Sequence, residues 1–220
     1  MTTPPTVDLA LLERWLACWS LARGLPLPRR EDGGLVVDVG WSGQLRRHVF
    51  VDAGPALQAC AAGIDAPFVY LKAAVMPQAL RDALPHRWVL EQPRYLMHRA
   101  EAMSDGQAID GTAPAGYTLV AEREHGAAVL RLADADGMTA ASGRIVLNSG
   151  TAVFDRIETH AAHRRRGLAR ALMFALDART AQADVRERLL VATEAGRTLY
   201  ERLGWRVLAP YSTAVLPAGA

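Results

Sequence analysis

Residues 163–169 read His163-Arg164-Arg165-Arg166-Gly167-Leu168-Ala169, set between an apolar, β-branched run at Thr151 to Glu158 and a helical pattern from Leu168 onward. A strand that stops at a short basic loop and restarts as a helix aims several unpaired N–H groups, and the positive end of the helix, at one point in space. The natural guest of such a point is a phosphate or pyrophosphate. Gly167 lets the backbone come close to it, Ala169 keeps the first helical turn uncrowded, and the arginines add charge and fork-shaped donors.

The segments that follow keep a definite order. The pattern predicts a helix over Leu168 to Ala183, a strand over Leu189 to Ala192, and a helix over Glu194 to Leu203, then a last apolar segment. Thr193 is placed to cap the last helix and Gly204 to close it, with Arg197 on its flank. The motif Arg164-x-x-Gly167-x-Ala169, followed at this spacing by Leu199-Tyr200-Glu201-Arg202-Leu203-Gly204-Trp205, resembles the R/Q-x-x-G-x-G/A loop and the later LYxxxGF segment of the GNAT superfamily of acyl-CoA-dependent N-acyltransferases. The resemblance covers roughly residues 117–216. It implies an α/β (α+β) fold, in which a mixed, mostly antiparallel GNAT-type sheet is flanked by helices.

Four strands are expected ahead of the loop, at Tyr117 to Glu122, Ala127 to Leu132, Met138 to Val146 and Thr151 to Glu158. Their turns are marked by Glu124-His125-Gly126, Asp134-Ala135-Asp136-Gly137 and Asn148-Ser149-Gly150. Residues 99–116 are rich in Ala, Gly, Asp and Ser and lose the apolar period, so 101–116 is expected to link a smaller N-terminal α+β domain, 1–100, to a catalytic domain, 117–220.

In the first hundred residues, Leu11, Leu12, Trp15, Leu16 and Trp19 recur at helical spacing over Val7 to Ala22. Strands at Leu35 to Val39 and Arg47 to Asp52 suggest a hairpin. A short helix at Ala56 to Ala62, a strand at Phe68 to Lys72, a helix at Pro77 to Leu84 and strands near Trp88 to Leu90 and Tyr95 to His98 follow. This order resembles the back part of a GNAT domain whose phosphate loop is erased, since Ala53-Gly54-Pro55 holds no basic residue. A degenerate GNAT-like half and an unrelated α+β cap are both open. GNAT domains usually place helices between their first two strands, whereas only Glu122 to Gly126 intervenes here. The N-terminal half is therefore expected to supply the wall of the acceptor site.

Acyl transfer from a thioester to an amine needs an anchored CoA, a polarised carbonyl, a deprotonated amine and a proton for the leaving thiolate. The resemblance assigns anchoring of acetyl-CoA to Arg164, Arg165, Arg166, Gly167, Leu168 and Ala169. It assigns the pantetheine arm and acyl carbonyl to the main chain of Ile157, Glu158 and Thr159, on a strand that splays from its neighbour. Backbone amides already oriented toward a developing oxyanion are efficient stabilisers. Tyr200 is the candidate general acid, a phenol near pKa 10 facing a thiolate near 8.5. Asp155 and Glu158 are candidate bases. Simple alternation puts them on opposite strand faces unless a bulge intervenes, and a water relay is the alternative.

Other classes are disfavoured. A net charge of +2 and no aromatic residues interleaved with the arginines argue against nucleic acid. No window approaches the roughly 18 apolar residues of a membrane helix, and the N-terminus has no leader pattern, so a cytoplasmic protein is expected. Cys18 and Cys60 are read as reduced thiols in apolar surroundings, and His160 and His163 as loop histidines without metal, because no third ligand lies at a usual spacing. The expected partner is a small-molecule or peptide amine; an acyl-CoA-binding sensor or scaffold without transfer is the rival. A homodimer is compatible with the family.

Overall fold

Trp15, Trp19 and five other residues of α1 (Leu9–Leu21) are buried and the rest are half-buried, so the apolar positions that recur at three and four face the core. Asp8 caps it, its carboxylate accepting from Leu11 N at 2.7 Å. The computed structural model describes residues 5–103, 113–181 and 183–219. It places α1 between two sheets, in one core with Leu35, Val37 and Val49 of the first sheet and Val146, Val153 and Leu189 of the second.

The first sheet is built from β1 (Arg29–Glu31), β2 (Gly34–Trp41), β3 (Gln44–Phe50), β4 (Val69–Ala73) and β5 (Val89–Leu90), with α2 (Pro55–Gly63) and α3 (Pro77–Ala83) on its outer face. After β6 (Arg94–Arg99), the second sheet continues through β7 (Thr118–Glu124), β8 (Ala127–Ala133), β9 (Thr139–Asn148) and β10 (Thr151–Thr159). Helix α4 (Leu168–Asp177), β11 (Glu187–Thr193), α5 (Glu194–Arg202), β12 (Arg206–Pro210) and β13 (Ser212–Val215) complete the chain. The fold is thus mixed α+β, with two mostly antiparallel sheets flanked by helices. The polar, exposed β1 has no apolar alternation and was not foreseeable from sequence.

Both halves run through the same series. An antiparallel pair (β2 with β3, β9 with β10) leads into a helix and a parallel return (β3 with β4, β10 with β11), then a second helix and two strands. The last strand of each half is exchanged. β6 lies between β11 and β12, whereas β13 lies between β4 and β5, Thr213 opposite Lys72. A division near residue 100 therefore separates the chain but not the sheets. Residues 104–112 of the expected linker lie outside the described residues; Met103 N donates to Asp177 Oδ2 at 2.6 Å.

Helix α4 ends at Asp177, six residues short of the expected Ala183, and continues as a 3-10 turn at Ala178–Thr180. The Thr180 hydroxyl donates to the Asp177 carbonyl at 2.7 Å, and the Asp177 carboxylate is held by Arg188 Nε at 2.6 Å. Those bonds replace another helical turn. Between β9 and β10, Ser149 and Gly150 both have positive φ, 48° and 81°, as a two-residue type I′ hairpin turn requires.

Candidate active site

Strands β10 and β11 pair in parallel from Thr151 opposite Glu187 to Phe154 opposite Leu190, and there the pairing stops. β10 runs on to Thr159 and β11 to Thr193, so the two diverge and leave the main-chain edge of Asp155 to Thr159 open toward the gap. The corresponding strands of the first half do not diverge. β3 and β4 stay paired from Arg46 with Val69 to Phe50 with Ala73, and Ala74 N donates to Phe50 O at the end. Asp52 also turns its carboxylate onto Gly54 N, 2.8 Å away, at the start of α2. An acid fills the point where the second half presents arginines.

A β-bulge marks the divergence. The register against β9 passes from Asp155 opposite Arg144 to Glu158 opposite Ser142, which inserts one extra residue, and Arg156 takes φ of 51°. Arg144 and Ser142 share a face of β9, so Asp155 and Glu158 share the α1-side face of β10 despite their odd spacing. Ile157 points the other way, toward Gly143 and α4.

Past β10, residues 161–163 form a 3-10 turn, and Gly167 caps α4 with φ of 77° and no side-chain hydrogen bond. A Cβ at Gly167 would meet nothing within 4 Å, so open space lies over the helix N-terminus. The N–H groups of Arg165 to Ala169 find no acceptor among the described residues. That is the donor set a pyrophosphate needs. Arg164, Arg165 and Arg166 are exposed while Leu168 is buried and anchors the helix. Arg164 Nε donates to the Thr159 carbonyl at 3.4 Å, and Arg166 Nη1 to the Tyr117 hydroxyl at 3.1 Å. Tyr117 in turn meets His163 Nδ1 at 3.1 Å, and His163 Nε2 lies 3.4 Å from Asp134. Among the described residues, no group of three or more His, Cys, Asp or Glu side chains could hold a metal ion.

Across the gap, Thr193 caps α5 by accepting from Gly196 N at 3.0 Å, and Arg99 of β6 covers the other end by donating to the Leu203 carbonyl at 2.7 Å. Tyr200 is 7% exposed, its ring over Gly196 and beside Trp205. Burial, aided by the Asp155 charge, pushes its hydroxyl up to about 12. That hydroxyl bonds to none of the described residues.

A cavity of about 860 Å³ joins these parts. It is lined by β10 from Phe154 to Thr159, by Arg164 and Ala169 of the loop, by β11 and α5 up to Tyr200, and by Trp15, Trp19, Arg47, Lys72 and Tyr211. Ile157, Glu158 and Thr159 are therefore brought together with Tyr200, as is Asp155. Arg165, Arg166, Gly167 and Leu168 stand beside the cavity, at the helix end, rather than in its wall.

Asp155 is bound on two sides, 2.8 Å from Arg23 Nη2 and 2.7 Å from Arg144 Nη2. Burial alone would raise its carboxyl, but the two guanidiniums outweigh that and hold it below the usual carboxylate range. Glu158, by contrast, is exposed to the cavity and makes no ion pair among the described residues. The first-half side chains in the wall escaped sequence reading. One signal was available: Lys72 is the only lysine of the chain, and it stands in the apolar strand Val69-Tyr70-Leu71-Lys72-Ala73.

Strand divergence, bulge and capped loop coincide with a sequence match, since residues 114–207 fit the family model described as an acetyltransferase (GNAT) domain. Residues 114–207 are a GNAT domain. Solved structures share the fold beyond that segment. A GCN5-related N-acetyltransferase from Kribbella flavida superposes with a TM-score of 0.63 at 14% identity, covering 96% of each chain. A GCN5-related N-acetyltransferase-like protein from Streptococcus suis gives 0.59 at 12% identity, over 94% of this chain and 97% of that one. A tandem GNAT protein from the clavulanic acid biosynthesis pathway gives 0.52 at 16% identity, over 74% and 68%. At such identities the likeness is one of fold, and it includes the first half. No curated protein matches the chain by sequence.

Proposed function

We propose that the protein is an N-acetyltransferase that passes an acetyl group from acetyl-CoA to a primary amine by direct attack. The observation that carries this reading is the single cavity shared by the open edge of β10, the Arg164–Ala169 loop and Tyr200. The loop N–H groups and arginines hold the pyrophosphate, and the edge at Ile157 to Thr159 receives the pantetheine arm and orients the thioester carbonyl. The amine nitrogen attacks that carbonyl from the α1 side, forming C–N as C–S breaks. Tyr200 gives its proton to the departing thiolate, and the ammonium proton leaves through Glu158, directly or by water. Asp155 orients Arg23 and Arg144 and is a poor base because both guanidiniums favour its anion. The first half and α1 form the acceptor wall, and use of a CoA donor supports a cytoplasmic location.

Isothermal titration with acetyl-CoA tests the donor site: micromolar binding is expected, and no heat at millimolar ligand sinks the reading. Tyr200→Phe should lower kcat by ~100-fold or more while leaving CoA affinity nearly intact. Unchanged turnover with a good acceptor removes Tyr200 from the mechanism. CoA binding without product across a broad amine panel favours a sensor instead.

A further inference from the structure

On the wall opposite the loop, the inner face of the first sheet carries two buried basic side chains with no carboxylate within ion-pair distance among the described residues. Arg47 is 8% exposed and Lys72 9%. Lys72 Nζ donates to Thr213 Oγ1 at 2.7 Å, and Arg47 Nη2 to Gln44 Oε1 at 3.2 Å, both neutral acceptors. Arg47 Nε and the Tyr211 hydroxyl are buried and find no hydrogen-bond partner. Arg47 stacks on Trp19 at 3.6 Å from the ring centroid, and Arg23 on the same ring at 4.2 Å, which fixes the guanidinium without neutralising it. Burial, with Arg47 adding to it, pushes Lys72 well below its ordinary value.

Buried charges in proteins are ordinarily paired, and leaving one unpaired costs several kcal/mol. Here the Arg47 guanidinium stands unpaired beside Lys72, whose ammonium form burial disfavours until an anion joins it, with unclaimed donors at Arg47 Nε and Tyr211, in the wall of the cavity that also holds Tyr200 and the open edge of β10. Three acids line the same cavity: Asp155 is already committed to two arginines, and Glu91 and Glu158 are exposed. The missing partner is an anion that arrives with the acceptor. Resting on the acetyl-transfer reading above, we infer that the acceptor is a small amine bearing a carboxylate, and that Arg47, Lys72 and the Tyr211 hydroxyl bind this carboxylate while the amine faces the thioester. Thr213 and Gln44 position the two cations, and Trp15 and Trp19 bound the space between carboxylate and amine.

The test compares acids with their decarboxylated partners on the full chain: L-phenylalanine with phenethylamine, L-ornithine with putrescine, glycine with methylamine. Transfer with acetyl-CoA is expected to favour at least one acid over its amine by ~10-fold or more in kcat/KM, the scale of charge-assisted bonds to a buried group. Lys72→Met should abolish that preference by lowering kcat/KM for the acid far more than for its decarboxylated partner, and Lys72→Arg should partly restore the preference. Equal or better use of the decarboxylated amines by the wild-type chain overturns the inference without needing any variant. A fall in acetyl-CoA affinity in Lys72→Met also overturns it, since the cations would then serve the donor. Calorimetric titration of the same acids without donor separates the two readings. Lys72-dependent binding with no transfer keeps the carboxylate pocket and defeats acetyl transfer, whereas transfer without binding or preference does the reverse.

Discussion

At the residue scale, Asp155 shows how environment decides what a carboxylate can do. Arg144 is 3% exposed, and it binds Asp155 through both Nε and Nη2 while Arg23 binds from the other side. Replacing Asp155 by Asn leaves two buried guanidiniums uncompensated, at a cost of about 3 kcal/mol or more. Denaturant titration should show that loss at neutral pH. Its folded-state pKa lies below the unfolded value, so its contribution is present above the unfolded pKa and disappears as pH falls through the folded one. The wild-type chain should therefore lose stability below about pH 4, and Asp155→Asn should flatten that acid limb. The opposite holds at Tyr200. An acid pushed up to about 12 stays protonated throughout the working range, so kcat should show no alkaline fall assignable to it up to about pH 10. A falling limb in wild type that vanishes in Tyr200→Phe would contradict the burial described.

At the scale of elements, the site depends on a bulge and a left-handed glycine, and sequence reveals these unequally. Gly167 stood out as a glycine between three arginines and a helix start, and its φ of 77° lies in the left-handed region that favours glycine. Gly167→Val should cost ~1–2 kcal/mol of stability from backbone strain and weaken acetyl-CoA by ~10-fold or more, because a β-branched side chain would fill the open space over the helix end. Calorimetry on the variant separates the two effects; unchanged CoA affinity would move the pyrophosphate elsewhere. The bulge at Arg156 left no such mark. Arg156 is an exposed, non-glycine residue at φ of 51°, and alternation alone set Asp155 and Glu158 on opposite faces. Nothing local in Asp155-Arg156-Ile157-Glu158 says that the register slips, since the slip comes from β10 leaving β11 while still holding β9. Most helices and strands were legible within two residues because apolar period and turn residues are local; the face presented by this segment is set by neighbours far along the chain.

For the whole molecule, exchange of β6 and β13 makes the two halves one unit, and it was invisible in sequence. Tyr95-Leu96-Met97-His98 and Ser212-Thr213-Ala214-Val215 are short strands that would pair with any open sheet edge, so their partners follow from topology and not from composition. The same exchange builds the cavity. β13 carries Thr213 into the first sheet beside Lys72, and Tyr211, leading into it, packs edge-on against Trp15 at 5.3 Å. In return, β6 sends Arg99 to the end of α5, the helix that presents Tyr200. Neither half can close its sheet without the other. Deleting residues 211–220 removes the strand between β4 and β5, with the buried Tyr211, Ala214 and Leu216, each worth up to ~1.5–3 kcal/mol for the larger side chains. Two such side chains, together ~3–6 kcal/mol, are a large share of the ~5–15 kcal/mol that stabilises an ordinary domain. Scanning calorimetry should show a single unfolding transition for the full chain and no folded first sheet in the truncated one. Acetyl-CoA binding should fall with it, although every residue of the Arg164–Ala169 loop is retained. Two separate transitions, or a truncated chain that binds acetyl-CoA as well as the full one, would show that the second half holds its site alone and that the exchanged strands only tether the first.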